Sequence, residues 1–404
     1  MSSRLAGWVD ELGAIGGRPS GGVTRVAWSS ELAAANAWLV ERATELGIAA
    51  DVDAAGNVVC RWTGTSADET AVVLGSHLDT VPDGGRYDGA FGVLAGLEVL
   101  HRLRERGFRP RRPVWLVAFN DEEGTRFDAS MFGSHAFVGD DVTGFLDRID
   151  AQGVRLSDAM RAAGSDPAAL PSASCADRIG HYLELHIEQG PRLERAGRAV
   201  AVVSEIVGMR GHVVTLRGRA NHAGTTPMDV RQDALAGAAR ILLALRDAAR
   251  AEDGMTVNVG RLDVEPGGAN VIPGLARFTV DIRSPRPDAL SRTDELVRRV
   301  VAEVAASESL DAEVVDSFTH PPASMDPELR ALLARHVTAA GAEAVEMPSG
   351  AGHDAMVLAA HVPSAMLFVP SRGGVSHAPD EYTPPELYEP ALTVLTGAVA
   401  ELAG

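Results

Sequence analysis

Residues 71–89 read AVVLGSHLDTVPDGGRYDG, an apolar run that ends in His77, Leu78 and Asp79 and continues through a Gly-Gly turn to Asp88. The apolar residues Ala71 to Leu74, bounded by Gly75, predict a buried strand. Polar residues just past such a strand lie where open α/β sheets bind ligands, at the carboxyl ends of strands. His77 and Asp79 are two positions apart, so in extended geometry both point to one side. A carboxylate beside an imidazole fixes the ring's tautomer and orientation, which makes the ring a good metal ligand. Asp88 adds a second hard oxygen close by.

Working outward, residues 92–107 (GVLAGLEVLHRLRERG) carry helical apolar periodicity and end on Gly107. Residues 113–119 (PVWLVAF) read as another buried strand, which runs into Asn120-Asp121-Glu122-Glu123-Gly124. Strand, helix, strand at this spacing is a crossover unit and implies a parallel pair, with the polar ends of both strands at one edge. Upstream, 4–13 and 27–47 read as helices and 50–62 as a hairpin turning at Gly56. Downstream, 128–180 is mixed, without a clear sheet signal. Residues 181–191 then alternate: Leu183, Leu185 and Ile187 on one face, Glu184, His186 and Glu188 on the other. Buried charge is costly unless it is paired, so such a face needs a purpose.

From Gly208 the character changes. Strands at 212–218, 255–262, 275–283 and 311–317, with helices at 229–250 and 287–306, form a ferredoxin-like split βαβ pattern. After the corner His320-Pro321-Pro322 come a helix at 326–340 and a strand at 365–370, which leads into Ser371 to His377. The expected architecture is α/β: a mixed-sheet catalytic domain formed by 1–208 and 321–404, interrupted by an inserted α+β domain at 209–320.

With 404 residues the chain can bury a large core over two domains. A net charge of −18 argues against nucleic acid or an anionic membrane as partner. Cys60 and Cys175 are too few for a disulfide framework and form no CxxC pair, which excludes a thiolate zinc site. The N-terminal MSSRLAGWVDELGAIGG is an amphipathic helix pattern rather than a signal peptide, and no apolar stretch has transmembrane length. A cytoplasmic enzyme acting on a small molecule is expected.

His77/Asp79, Asp88, Glu122/Glu123, His186 and His377 thus fall at strand ends or in the loops that follow. Three histidines with several carboxylates suit borderline divalent ions such as zinc, manganese, cobalt or nickel. One carboxylate can bridge two ions, which together lower the pKa of a water they share. Adjacent Glu122 and Glu123 would supply one ligand and one general base.

The segments SHLDTVPDGGRYDG, FNDEEGTRF, LELHIEQGP, GRANHAGTTPM, GGANVIP, VDIRS, GAGHDA and GVSHAPDE resemble the M20 metallopeptidase-like amidohydrolases over essentially the whole chain. Within that family they resemble the hydantoinase/carbamoylase branch, which hydrolyses carbamoyl and ureido groups; the wider family's peptidases usually have a carboxylate where His186 stands. The resemblance implies a zinc-peptidase-like fold whose insert is a lid and dimerisation domain, and hence a homodimer. It implies two divalent ions bridged by Asp88, with His77 and His186 completing one and Glu123 and His377 the other. Asp79 would orient His77, and Glu122 would be the base. His222 would steady the oxyanion, often across a dimer interface. Asn270 and Arg283 would hold the substrate carboxylate, since guanidinium binds carboxylate through two parallel hydrogen bonds. Gln189 and Gly350 would also touch substrate, with His353 and Asp354 behind the ligands. Met209 and Arg210 stand where many relatives carry Gln or an aromatic residue, which bears on the substrate's variable side. The expected reaction is cleavage of the ureido C–N bond of an N-carbamoyl-L-amino acid. Allantoate, ureidoglycolate or β-ureidopropionate are the alternative substrates. An aminoacylase, a dipeptidase and an inactive metal-binding module are the remaining readings.

Overall fold

The computed structural model describes residues 3–66, 68–252 and 254–404; Met1 and Ser2, the start of the expected N-terminal helix pattern, lie outside the described residues. The chain divides into two compact units, one running to Ser204 and resuming over Ser324–Gly404, the other Glu205–Ala323.

The first unit opens with α1 (Ser3–Ala14) and α2 (Ser30–Glu45). The second helix is shorter than the expected 27–47. Trp28 takes a left-handed φ of 59°, and Ser29 caps the helix by accepting from Leu32 N at 3.1 Å. The hairpin is β1 (Ala49–Val52) and β2 (Val58–Trp62), paired antiparallel, with Gly56 at φ 84° in the turn. Then β3 (Ala71–His77), α3 (Ala90–Glu105) and β4 (Val114–Phe119) form the crossover, β3 and β4 pairing in parallel with His77 opposite Phe119. After α4 (Phe132–Val138) and α5 (Leu156–Ala162) come β5 (Ile179–Ile187), α6 (Arg192–Ala196) and β6 (Ala201–Ile206).

The second unit contains β7 (Gly208–Arg217), α7 (Ala234–Ala251), β8 (Thr256–Asn258), β9 (Leu262–Glu265), β10 (Leu275–Ser284), α8 (Pro287–Ser307) and β11 (Asp311–His320). Its sheet runs β11-β7-β10-β8, with β9 also on β10, and these pairings are antiparallel. Val214, Leu216, Phe278 and Ile282 meet Ile241, Leu245, Val297 and Val301 of the two helices in a separate core. The single strand expected at 255–262 is instead two short ones on the same neighbour. Between the pairs Asn258–Asp281 and Leu262–Phe278 the edge carries one residue more than β10, a bulge that breaks the ladder.

The chain returns through β12 (Ala323–Ser324), α9 (Pro327–Ala339), β13 (Glu346–Ser349), α10 (Asp354–Leu358), β14 (Ser364–Val369) and α11 (Tyr388–Ala403). The main sheet runs β1-β2-β4-β3-β5-β14-β6-β12, with β13 also beside β6, whose sequence AVVSEI is too short a pattern to assign unaided. Its central strands β4, β3, β5 and β14 are parallel, so Phe119, His77, Ile187 and Val369 all end at one edge. Leu183, Leu185 and Ile187 join the α3 core, each contributing about 2 kcal/mol by burial. Gly92 lets α3 lie against β5, because a Cβ there would overlap the Leu185 carbonyl oxygen. The C-terminal helix, which carries no motif, buries Leu392, Leu395 and Val399 in the same core. Among the described residues no helix is long and apolar enough to cross a membrane.

Candidate metal centre

The parallel strand ends deliver His77 from β3, Glu122 and Glu123 from the loop after β4, and His186 from β5. Asp88 lies just before α3 and His377 in the loop that follows β14. His77 Nδ1 contacts the Asp79 carbonyl oxygen at 3.0 Å and His186 Nδ1 that of Ile187 at 2.9 Å. A carbonyl only accepts, so both rings carry their proton on Nδ1 and present a bare Nε2. The rings stack with centroids 5.9 Å apart, and their Nε2 atoms lie 3.6 and 3.2 Å from Asp88 Oδ1. The other Asp88 oxygen, Oδ2, lies 3.1 Å from His377 Nε2, which faces Glu123 Oε1 at 3.5 Å.

His77, Asp88 and His186 therefore form one triad with ion-holding spacing, and Asp88, Glu123 and His377 form another. Their chemistry fits a divalent cation. Among the described residues Glu123 Oε1 is a buried oxygen without a hydrogen-bond partner. The buried acids Asp79, Asp88, Asp121, Glu122, Glu184 and Asp354 outnumber the buried imidazoles of His77, His186 and His353. Such an excess of buried negative charge calls for cations.

The electrostatics reflect that crowding. Burial opposes ionisation of Asp88, yet the imidazoles of His186, His377 and His77 around it hold it well below the usual carboxylate range. Burial pushes Glu122 well above its ordinary value, reinforced by Glu123 and Asp354 and opposed by His77. Burial and the Asp88 charge raise Glu123 to about 7. The bond to Asp88 raises His377 to about 9 against its own burial.

Asp79 is more than a partner for His77. Its carboxylate is 3.7 Å from His77 Nδ1 and accepts from the backbone N–H groups of Glu122 and Glu123 at 3.3 and 3.1 Å. With Asp121 at φ 60°, this fixes the turn that aims two adjacent glutamates inward. Glu122 Oε2 comes within 3.7 Å of His77 Nε2 without belonging to either triad. Gly89 has φ 61°, and a Cβ there would overlap the His77 ring. That is the physical need for glycine after Asp88.

Gln189, at φ 58°, donates to Asp88 Oδ2 at 2.7 Å, so it stands beside the second triad. The alternating face of β5 proves to be buried and divided in role. Glu184 accepts from Ser76, Tyr182 and Ala355 N, whereas Glu188 caps α6 at Arg192 N and Leu193 N. The His353 ring packs edge-on to His186 with centroids 4.4 Å apart. Gly350 is an exposed loop residue after Ser349, whose hydroxyl meets His353 Nε2 at 2.8 Å. In the second unit, His222 and Asn270 sit on adjoining loops, with Ala223 N donating to Asn270 O at 2.9 Å. Arg283 on β10 pairs with Asp281 at 2.8 Å. Arg210 pairs with Asp294 at 3.0 Å, and Met209 is buried. Glu381 and Ser376, which motif reading passes over, touch Asp88 and His377 directly; their signal was an acid four residues after a metal-ligand candidate in SHAPDE.

Imidazole and carboxylate donors clustered at one sheet edge suit a metal-dependent hydrolase. The profile of peptidase family M20/M25/M40 matches residues 73–401, and the chain belongs to that family. It is 39% identical to N-carbamoyl-L-amino acid amidohydrolase of Geobacillus stearothermophilus over 97% of this chain and 96% of the relative. It is 36% identical to allantoate amidohydrolase of Bacillus subtilis (strain 168), over 100% and 98%. In structure it is similar to an amidase of the hydantoinase/carbamoylase family from Burkholderia multivorans. The TM-score there is 0.91 at 36% identity, covering 100% and 98% of the two chains.

Proposed function

We propose that this chain is a two-ion amidohydrolase that cleaves the ureido C–N bond of an N-carbamoyl-L-amino acid, releasing the amino acid, ammonia and carbon dioxide. The observation that carries this reading is Asp88, one carboxylate with Oδ1 turned to His77 and His186 and Oδ2 to His377. Manganese, zinc, cobalt or nickel suits these donors. When bound, the ions supply an acidified water and polarise the scissile carbonyl. Glu122, buried beside both triads and bound to neither, takes the proton and returns it to the leaving nitrogen.

The second unit supplies substrate contacts in this reading. His222 Nδ1 accepts from Gly224 N at 3.1 Å, which leaves the ring proton on Nε2 as a donor suited to an oxyanion. Asn270 and Arg283 bind the substrate carboxylate, and Gln189 and Gly350 complete the contacts. Its antiparallel sheet with two helices on one face is ferredoxin-like. The same unit serves as lid and dimerisation domain; support comes from edge strand β11, which exposes Val315 and Phe318, and from Leu243 exposed on α7.

The test is ammonia release from N-carbamoyl-L-amino acids, β-ureidopropionate, allantoate and ureidoglycolate, repeated with each ion. Faster turnover of allantoate, the substrate named for the relative at 36% identity, would move the assignment within the ureido class. Release from N-acetyl amino acids or dipeptides without ammonia from any ureide would replace it with an aminoacylase or dipeptidase. Absence of turnover on the whole panel would favour a binding module.

A further inference from the structure

We infer that Glu381 is the positioning residue that sets the distance between the two ion triads. The inference rests on the two-ion reading above. Glu381 is only 4% exposed, and its carboxylate gathers donors from two turns far apart in the chain. Oε1 accepts from Tyr87 N at 2.8 Å and Asp88 N at 3.0 Å. Oε2 is 2.8 Å from Ser376 Oγ and accepts from His377 N at 3.3 Å. Each of these donors belongs to Asp88 or His377 or to the residue just before one of them. A buried carboxylate serving only the scaffold has no reason to draw its partners from two ligand-bearing turns alone. Gly85 makes the approach possible, since a Cβ there would overlap Glu381 Oε1.

What Glu381 holds is the link between the triads. Asp88 is their common member, and His377 is the ligand reached through the strained turn, at φ 56°. The imidazoles of the first triad are fixed by carbonyls of Asp79 and Ile187, so they do not depend on Glu381. Ser376 Oγ lies between Asp88 Oδ2, at 2.9 Å, and Glu381 Oε2, at 2.8 Å. One hydroxyl has one proton and serves one carboxylate at a time. A cation held by the second triad would compete with Ser376 for Asp88, which would leave the hydroxyl proton to Glu381 and tighten the clamp around His377. Occupation of the second triad and closure of the clamp therefore reinforce each other.

The variant that tests this is Glu381→Gln, which keeps the shape but turns an NH2 group toward two of the four donors. Metal-free wild type and variant are titrated with cobalt(II), and bound metal is counted by mass spectrometry beside the visible d–d spectrum. Wild type is expected to hold two ions per chain. E381Q is expected to keep the first and bind the second about 10–100-fold more weakly, the range for groups that orient metal ligands. Melting of its metal-free form should fall only by the few degrees that the lost buried hydrogen bonds cost. Ser376→Ala, which removes only the hydroxyl between the two carboxylates, should weaken the same ion, and it carries the test if E381Q does not fold. Equal second-ion affinity in the folded variant overturns the inference, as does loss of both ions alongside a larger fall in the metal-free melting point. A wild type that binds no second ion would instead defeat the two-ion reading itself.

Discussion

At the scale of single residues, the centre depends on side chains that share work between distant turns. Asp88 faces three imidazoles, Asp79 holds the backbone of two glutamates, and Gly89 clears the path of the His77 ring. Gly89→Ala places a Cβ into that ring at a positive φ, which by itself costs about 1–2 kcal/mol. The expected outcome is weaker ion retention at the first triad, with His77 displaced; unchanged metal content after dialysis would contradict the geometry. On the proposed mechanism, Glu122→Gln is expected to lower kcat by about 10²–10⁴ while bound metal is unchanged, because it would remove the proton acceptor and no ligand. Near wild-type kcat in that variant would assign the proton to another group. His77 and His186 stand at the ends of readable strands, and Asp79, Asp88, Glu122, Glu123 and His377 in the loops around them, so all seven were legible in the sequence as candidates. Glu381 was not, because its role exists only once Tyr87 and Ser376 are brought to it across 294 positions and 5 positions respectively.

At the scale of elements, the parallel strands place polar residues at one edge, and α3 must lie close against β5 for that edge to form. Two glycine substitutions separate packing from propensity. Gly92→Ala would drive a Cβ into the Leu185 carbonyl and force the helix off its strand. Gly7, inside α1, has nothing within 4 Å of the same position. G7A is expected to raise stability by about 0.5–1 kcal/mol through helix propensity, and G92A to lower it by about 1–3 kcal/mol through overpacking. Denaturant midpoints measure both, and a G92A midpoint at or above that of G7A would refute the close approach. The crossover helix and its strands were readable from periodicity. The two-stranded edge of β8 and β9 was not, because a one-residue bulge leaves no mark on an apolar pattern.

At the scale of the molecule, the first unit is closed by two separated segments, with β14 from the second seated between β5 and β6 from the first. The second unit is continuous and owns its core. Expressed alone, residues 205–323 are expected to melt cooperatively and, if the unit carries the proposed dimer contact, to run as a dimer by light scattering. A broad, non-cooperative melt would show that this core does not suffice. A cooperative but monomeric fragment would remove the dimer contact from the second unit. The sequence alone determined the alternation, the helix periods and the chemical identity of the candidate ligands, because these depend on neighbours two to four positions apart. Its resemblance to a known family supplied the roles proposed for them. Only the tertiary structure decided which oxygen of Asp88 meets which histidine, that Asp79 serves the backbone as well as a ring, and that Glu381 spans two ligand turns. Those are contacts between strand ends, and local pattern does not encode the distance between residues that only the folded sheet makes neighbours.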